Sequence, residues 1–408
     1  MIKIDSSNLE QTASLHAKAC RATSDDRVRF YIALFDALGN KTPIALLPKT
    51  SLKDHFSLLD ETMKNLIQPY LKQEYRKAKK DTEKKIKHCI SIQQVKSVLI
   101  SLRTEIIDPK HTLNYFKEMH QFFIEVEKNI DDILKGKPKK LNDLMTVFAN
   151  QDKVKKSLEL VFPYETLTGK GFDITDSYGQ KSKWTSYTLT SAINMNVCPY
   201  CNRNWINTIK NEIDPIDKKQ TKIKITNPQL DHYFSKETFP LFRLSFYNLI
   251  PSCETCNARV KGRQVFKYKE NLHPYESGYG IKARFKVIPQ NYLSAIGKSN
   301  QFKIELKYED EKRKDEKQIA LNHSIFQIEK IYGFHGDVIA EVFNKRHHYN
   351  NRYMKMFSEN TRHNISLQEL YRLAFGNYFD EKDYSKRPFA KLIKDTVHFL
   401  GLEDPTFK

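Results

Sequence analysis

The sequence predicts an α+β chain: a mostly helical N-terminal region, a small central strand–strand–helix module held by cysteines, and an α+β C-terminal region. Three observations predict it. Apolar residues recur at three- and four-residue steps through much of the first 185 residues, the period of one helix face. Four of the six cysteines form two Cys-x-x-Cys pairs, Cys198/Cys201 and Cys253/Cys256, near the middle of the chain. Beyond residue 280, short alternating apolar runs precede further helical patterns. The boundaries read from this are 1–185, 186–280 and 281–408.

In the first region, Leu59, Met63, Leu66, Ile67 and Tyr70 mark one helix face, interrupted by Pro69, which starts a new helix or kinks the old one. Lys72 to Lys87 holds eight basic and three acidic residues, which reads as a solvated helix face or as a stripe facing nucleic acid. Further helical stretches cover Ile90–Ile107 and Leu113–Leu134, with a break at Gly136-Lys-Pro138. Residues 165–185 are rich in Gly, Thr, Ser and Lys and read as a linker, with Trp184 at the entrance to the next region. In the centre, Ile223–Ile225 with Leu230, then Phe246–Ile250, suggest two strands, and Cys253–Lys261 a short helix ended by Gly262. In the last region, Arg284–Ile288 and Phe302–Tyr308 read as strands and Glu309–Lys317 as a solvent turn. Helical patterns follow over Ile325–Phe357, Leu367–Phe375 and Phe389–Leu400.

At 408 residues, with 39% hydrophobic and 12% aromatic content, the chain is expected to form two or three domains with cores of their own. No run of about 18 apolar residues suggests a membrane-crossing helix. The opening Met1-Ile-Lys-Ile-Asp-Ser-Ser lacks the apolar core of a signal peptide, so a cytoplasmic location is expected. Net charge is +19, from 68 basic and 49 acidic residues. That favours a polyanionic partner, with nucleic acid first; the alternative is a Lys-rich, inert surface. Cys20 and Cys89 stand alone and are expected to be small buried apolar residues.

The two cysteine pairs, separated by 51 residues, have the spacing of a tetrahedral zinc site. Four thiolates fill that shell and leave no open position for water, so the zinc is expected to be structural. The loop they close contains Asp231-His232, a carboxylate beside an imidazole, which can hold a hard cation and take a proton from water. Alone, the cysteines could also belong to a non-catalytic zinc ribbon.

Cys198-x-x-Cys201, Asp231-His232, Asn248 and Cys253-x-x-Cys256-Asn257 together resemble the HNH (ββα-metal) endonuclease motif in its zinc-stapled form, over about 80 of the 408 residues. The resemblance implies hydrolysis of phosphodiester bonds in nucleic acid, with DNA the first candidate. It implies that His232 is the general base, that Asn248 orients its ring, and that Asp231 and Asn257 hold a catalytic Mg²⁺ or Mn²⁺. Asn257 stands where the family often has His, and its amide oxygen is a weaker ligand. Arg243, Arg259 and Lys261 are candidate phosphate contacts. His273, in Asn271-Leu-His-Pro-Tyr275, reads either as an extra metal ligand or substrate contact, or as a packing residue at a turn. Lys345–Arg352 reads as a nucleic-acid clamp or an exposed helix face, and His111 and His335 show no ligand spacing. The layout resembles nuclease components of Septu-type and retron anti-phage defence systems, which implies an ATPase partner; the chain itself has no GxxxxGK[ST] loop. A stand-alone restriction or homing-type nuclease would share the core, and a non-catalytic zinc-stabilised nucleic-acid-binding module is the reading from another class.

Overall fold

The computed structural model describes residues 1–36, 109–175, 179–209, 226–308, 315–346, 349, 356 and 365–402. The expectations for Leu59–Tyr70, Lys72–Lys87, Cys89, Ile90–Ile107 and Ile223–Ile225, and for most of Glu309–Lys317 and Lys345–Arg352, lie outside the described residues. The chain forms two compact units, each α-helical with small antiparallel sheets. One comprises Ala13–Thr185 and Ser235–Asn248; the other comprises Met1–Thr12, Ser186–Phe234 and Leu249–Lys408. This division differs from the boundaries read in the sequence: residues 281–408 share a unit with the cysteine module, and a segment inside that module belongs to the helical unit.

The helical unit contains most of α1 (Leu9–Asp36), then α2 (Pro109–Lys128), α3 (Ile130–Lys135), α4 (Pro138–Val147), α5 (Lys155–Val161) and α6 (Tyr164–Thr168). Phe116, Met119, Phe123, Val126 and Ile130 fall on one face of α2–α3 and are all buried. Phe123 stacks on Tyr31 and Phe35 of α1, with centroids 5.1 and 5.6 Å apart. The break at Gly136 is observed, and Pro138 opens α4, where a missing N–H costs nothing. Ser235–Asn248 is tied into this unit by Ser245, whose hydroxyl donates to the Ile133 carbonyl, and by Arg243, which bonds Glu165 at 2.5 Å.

The expected linker at 165–185 is instead α6 and a hairpin, β1 (Phe172–Thr175) and β2 (Lys181–Trp184), paired from Phe172↔Trp184 to Thr175↔Lys181. Only Phe172 and Trp184, facing each other at its base, are fully buried, so the remaining Asp, Ser, Thr and Lys positions hide the strands in the sequence. Trp184 Nε1–H donates to His16 Nδ1 at 3.0 Å, and His16 Nε2 lies 2.7 Å from the Leu244 carbonyl. Those bonds hold a neutral imidazole, and burial pushes its pKa down from 6.5 to about 4. A lowered folded pKa means that the contribution is present above pH 6.5 and is lost as pH falls towards 4. The wild type is therefore expected to lose about 3 kcal/mol more than His16→Gln between those limits. Urea midpoints across the range test this, and parallel pH curves for the two proteins would remove His16 as the cause.

The second unit begins its own elements at α7 (Ser186–Ile193) and continues through β3 (Gln229–His232), β4 (Leu249–Ser252) and α8 (Thr255–Lys261). There follow β5 (Ala283–Pro289), α9 (Tyr292–Ala295), β6 (Phe302–Tyr308), α10 (Asp315–Phe326), α11 (Ile328–Gly333), α12 (Gly336–Lys345), α13 (Leu367–Phe375) and α14 (Ala390–Phe399). Strands β5 and β6 pair from Ala283↔Tyr308 to Pro289↔Phe302, with Ala283, Phe285 and Val287 turned inward. The helical pattern after Ile325 is several helices rather than one, since Gln327 takes a left-handed φ of 49° between α10 and α11. α14 is pinned by Asp395, whose carboxylate accepts Lys391 at 2.6 and 2.7 Å and the Phe285 N–H at 2.8 Å.

Candidate metal centre and the strand–strand–helix around it

Strands β3 and β4 are antiparallel, in the register Gln229↔Ser252, Leu230↔Pro251, Asp231↔Ile250 and His232↔Leu249. Two residues after β4, the chain enters α8. A strand, a strand and a short helix stand here in the expected order, with Gly262 at φ 51° ending the helix, but the second strand is Leu249–Ser252 rather than Phe246–Ile250, because Phe246–Asn248 winds into a 3-10 turn.

Each cysteine pair sits on a tight turn. In the first, Cys198 N–H donates to the Asn204 carbonyl at 3.0 Å and Asn202 N–H returns to the Cys198 carbonyl at 2.8 Å. In the second, Cys256 N–H points at Cys253 Sγ, 3.4 Å away, and Asn204 Nδ2 lies 3.3 Å from the same sulfur. All four cysteines are buried, and their sulfurs lie within 4.8 Å of one another. A tetrahedral zinc with bonds of about 2.3 Å needs sulfurs about 3.8 Å apart. The site thus fits a structural metal ion: all-sulfur, closed and braced by N–H donors. Hydrogen bonds from Cys198, Cys201 and Cys256 push the Cys253 thiol far down, while burial pushes Cys198 well up. A divalent cation removes that conflict by letting all four ionise. Cys20 is buried in the helical unit, outside this cluster.

The first cysteine turn is embedded rather than peripheral. Ile2 N–H donates to the Pro199 carbonyl at 2.9 Å, and Tyr332 O–H to the Cys201 carbonyl at 2.6 Å. Asn202 takes a left-handed φ of 47°, which Asn tolerates better than most residues. From there its side chain accepts the Lys391 N–H at 3.1 Å and donates to the Tyr384 carbonyl at 3.0 Å.

Helix α8 is wound wide, with bonds to the fifth residue along, as in Gly262 N–H to Asn257 O at 2.9 Å. At the usual 100° per residue, Cys256 and Lys261 would stand about 140° apart. The wider winding puts both on the buried face. Lys261 Nζ donates to Asp231 Oδ1 at 2.8 Å, to Oδ2 at 2.9 Å and to the His232 carbonyl at 2.6 Å. Tyr200 O–H, from between the first two cysteines, donates to Asp231 Oδ2 at 2.6 Å. Burial and the adjacent carboxylate push the Tyr200 phenol well above 10, so it remains a donor.

This arrangement corrects several sequence expectations. Lys261, with 3% of its side chain exposed, neutralises Asp231 and is not available as a phosphate contact. Arg243 belongs to the helical unit, is 6% exposed and is ion-paired with Glu159 and Glu165, so it too is withdrawn from solvent. Arg259 is 76% exposed, with Glu254 3.6 Å away. Asn257 Nδ2 donates to Gln229 Oε1 at 2.9 Å, which ties α8 to β3. Asn248 is fully buried and donates to the Phe242 carbonyl at 2.9 Å; it immediately precedes Leu249, the register partner of His232. His232 is 9% exposed. His273 is buried against the Tyr233 ring at 4.1 Å and accepts the Tyr275 N–H at Nδ1, the contacts of a packing residue at a turn.

The same geometry tests the catalytic Mg²⁺ or Mn²⁺. Among the described residues, the four cysteines are the one group of three or more His, Cys, Asp or Glu side chains close enough to hold a metal. Asp231 is the carboxylate expected to do so, and both of its oxygens already accept an ammonium. The residues as placed do not fit a hard-cation site. Sequence reading missed Tyr200, treated as a spacer within Cys198-Pro-Tyr-Cys201, and Gln229, whose bond to Asn257 has no local signature.

A buried ion pair of this kind has a measurable consequence. Lys261→Met leaves a buried carboxylate without its cation and is expected to cost about 3–5 kcal/mol in urea unfolding. Adding Asp231→Leu should recover much of it, because the uncompensated charge is then gone. A double variant as unstable as the single one would show that Lys261 acts through packing alone.

Comparison of the chain with protein-family models, with curated proteins and with solved structures finds no match in any of the three.

Proposed function

We propose that this chain is an HNH-type endonuclease that hydrolyses phosphodiester bonds in nucleic acid, with DNA as the first substrate to test, and that it serves as an anti-phage effector alongside an ATPase. The observation that carries the reading is the antiparallel β3–β4 pair followed by α8, braced by four buried cysteines, with His232 ending β3 and Asn257 in the first turn of α8. The net charge of +19 suits a polyanionic substrate. In this reading His232 takes a proton from a water aimed at phosphorus. Arg259, exposed on α8, meets a neighbouring phosphate. The zinc, held by cysteines alone, is structural.

One observation favours a second reading, a non-catalytic zinc-stabilised nucleic-acid-binding module: the carboxylate beside His232 is closed by Lys261 and Tyr200. Supercoiled plasmid and single-stranded DNA incubated with the purified chain, with and without Mg²⁺ or Mn²⁺ and with a candidate ATPase, separate the two. Cleavage that disappears in His232→Ala supports the nuclease. Tight binding without cleavage in every arm supports the binding module.

A further inference from the structure

We propose that a cleft on the outer face of α13 is a nucleotide-binding subsite for single-stranded nucleic acid, holding a phosphate between Arg372 and Arg387 and a base against Leu373 and Ile365. This goes beyond the nuclease reading and does not depend on it, since it concerns residues outside the cysteine module. The cleft encloses about 410 Å³ and is lined by Ile365, Glu369, Arg372, Leu373 and Arg387. That volume falls in the range of small-molecule sites.

The local sequence builds it. Ser366 and Glu369 form a capping box that starts α13, and Gly376, at φ 65°, ends it. Among the described residues the one lining carboxylate is thereby used: Glu369 accepts both the backbone N–H and the hydroxyl of Ser366 at 2.8 Å. Neither guanidinium lies within ion-pair distance of a carboxylate among the described residues, although the Ser366 hydrogen bonds and then Arg372 hold the Glu369 carboxyl below its usual range, and both are held in place. Arg372 lies over the Tyr378 ring, 5.0 Å from its centroid, and Arg387 donates to the Gly376 carbonyl. Asn377 Nδ2 donates to the Pro388 carbonyl at 2.8 Å, which ties the Arg387 segment to the end of α13. Lys386, the other cation on Tyr378, is neutralised by Asp383 at 2.7 Å.

Both guanidiniums line the one cleft, and a guanidinium's planar fork suits the oxygens of a phosphate. Leu373, in the same lining, is an apolar side chain that is 63% exposed. A base can pack its face against such an apolar side chain without hydrogen bonds to its edges, and that contact carries little sequence preference. An acidic peptide fits less well, because three of the five lining residues come from a helix whose backbone groups are already bonded, and the described residues of the lining offer no strand edge for main-chain pairing.

The test is fluorescence anisotropy of a labelled 20-mer of thymidylate with the full-length chain, in a His232→Ala background so that no hydrolysis consumes the probe. Arg372→Gln and Arg387→Gln are each expected to weaken binding about 10-fold. Each should also reduce the slope of log affinity against log salt by about 0.7. Leu373→Glu, on an exposed position with both guanidiniums intact, should weaken binding by about as much and leave the melting point unchanged. The proposal is overturned if the double arginine variant and Leu373→Glu bind with the parent's affinity and salt slope. It is equally overturned if a 12-residue polyglutamate peptide loses affinity in these variants while the oligonucleotide does not, which would assign the cleft to a protein partner.

Discussion

Stripping the metal from the four-cysteine centre is expected to unfold the cysteine unit from its first turn outward. Structural zinc contributes on the order of 10–16 kcal/mol in small modules, comparable with or larger than the roughly 5–15 kcal/mol that stabilises a whole domain. Without the cation, four buried sulfurs are brought together with no group to share their charge. The damage should spread beyond the motif, because Asn202 bonds the backbone at Lys391 and Tyr384, and Tyr332 bonds Cys201. Elemental analysis is expected to find one zinc per chain. A thiol-compatible chelator, or Cys256→Ser, should collapse amide protection over 198–206 and over α14 together. The helical unit, whose core contains none of these ligands, provides an internal reference. If chelation removes zinc yet leaves protection at α14 unchanged, the centre does not organise this unit.

Replacing His232 with alanine is expected to slow cleavage by about 10²–10⁴, the contribution of a positioned general base. The loss should fall on kcat, with oligonucleotide affinity retained, if the imidazole serves as the proposed base, moving a proton without anchoring the strand. Arg259→Gln should show the opposite pattern, weakening binding with a shallower salt dependence. Asn257→Ala should be smaller than His232→Ala, since Asn257 already bonds Gln229 and acts by holding α8 on β3. Equal cleavage by the parent and His232→Ala would refute the assignment of the base, and a wild-type chain that binds DNA tightly but never cuts it would leave the binding module in its place.

Features governed by near neighbours were legible. The two Cys-x-x-Cys turns, the span of α13 over Leu367–Phe375, the β5–β6 strands and the stop at Gly262 each follow from a few adjacent residues. Where burial was confined to one pair, as at Phe172 and Trp184, composition read as linker and the hairpin was missed.

The sequence by itself determined the chemistry available: soft thiolates at metal spacing, an imidazole beside a carboxylate, and a large excess of positive charge. Only the tertiary structure decided how those groups were used. It placed Lys261 and Tyr200 on Asp231 and committed Arg243 to Glu159 and Glu165. It joined Ser235–Asn248 to the helical unit and left Arg259, Arg372 and Arg387 facing solvent. The reason is electrostatic. A charge withdrawn from water must be paired, and its partner is whichever opposite charge the fold desolvates beside it, a choice made by packing across tens of residues that local spacing does not record.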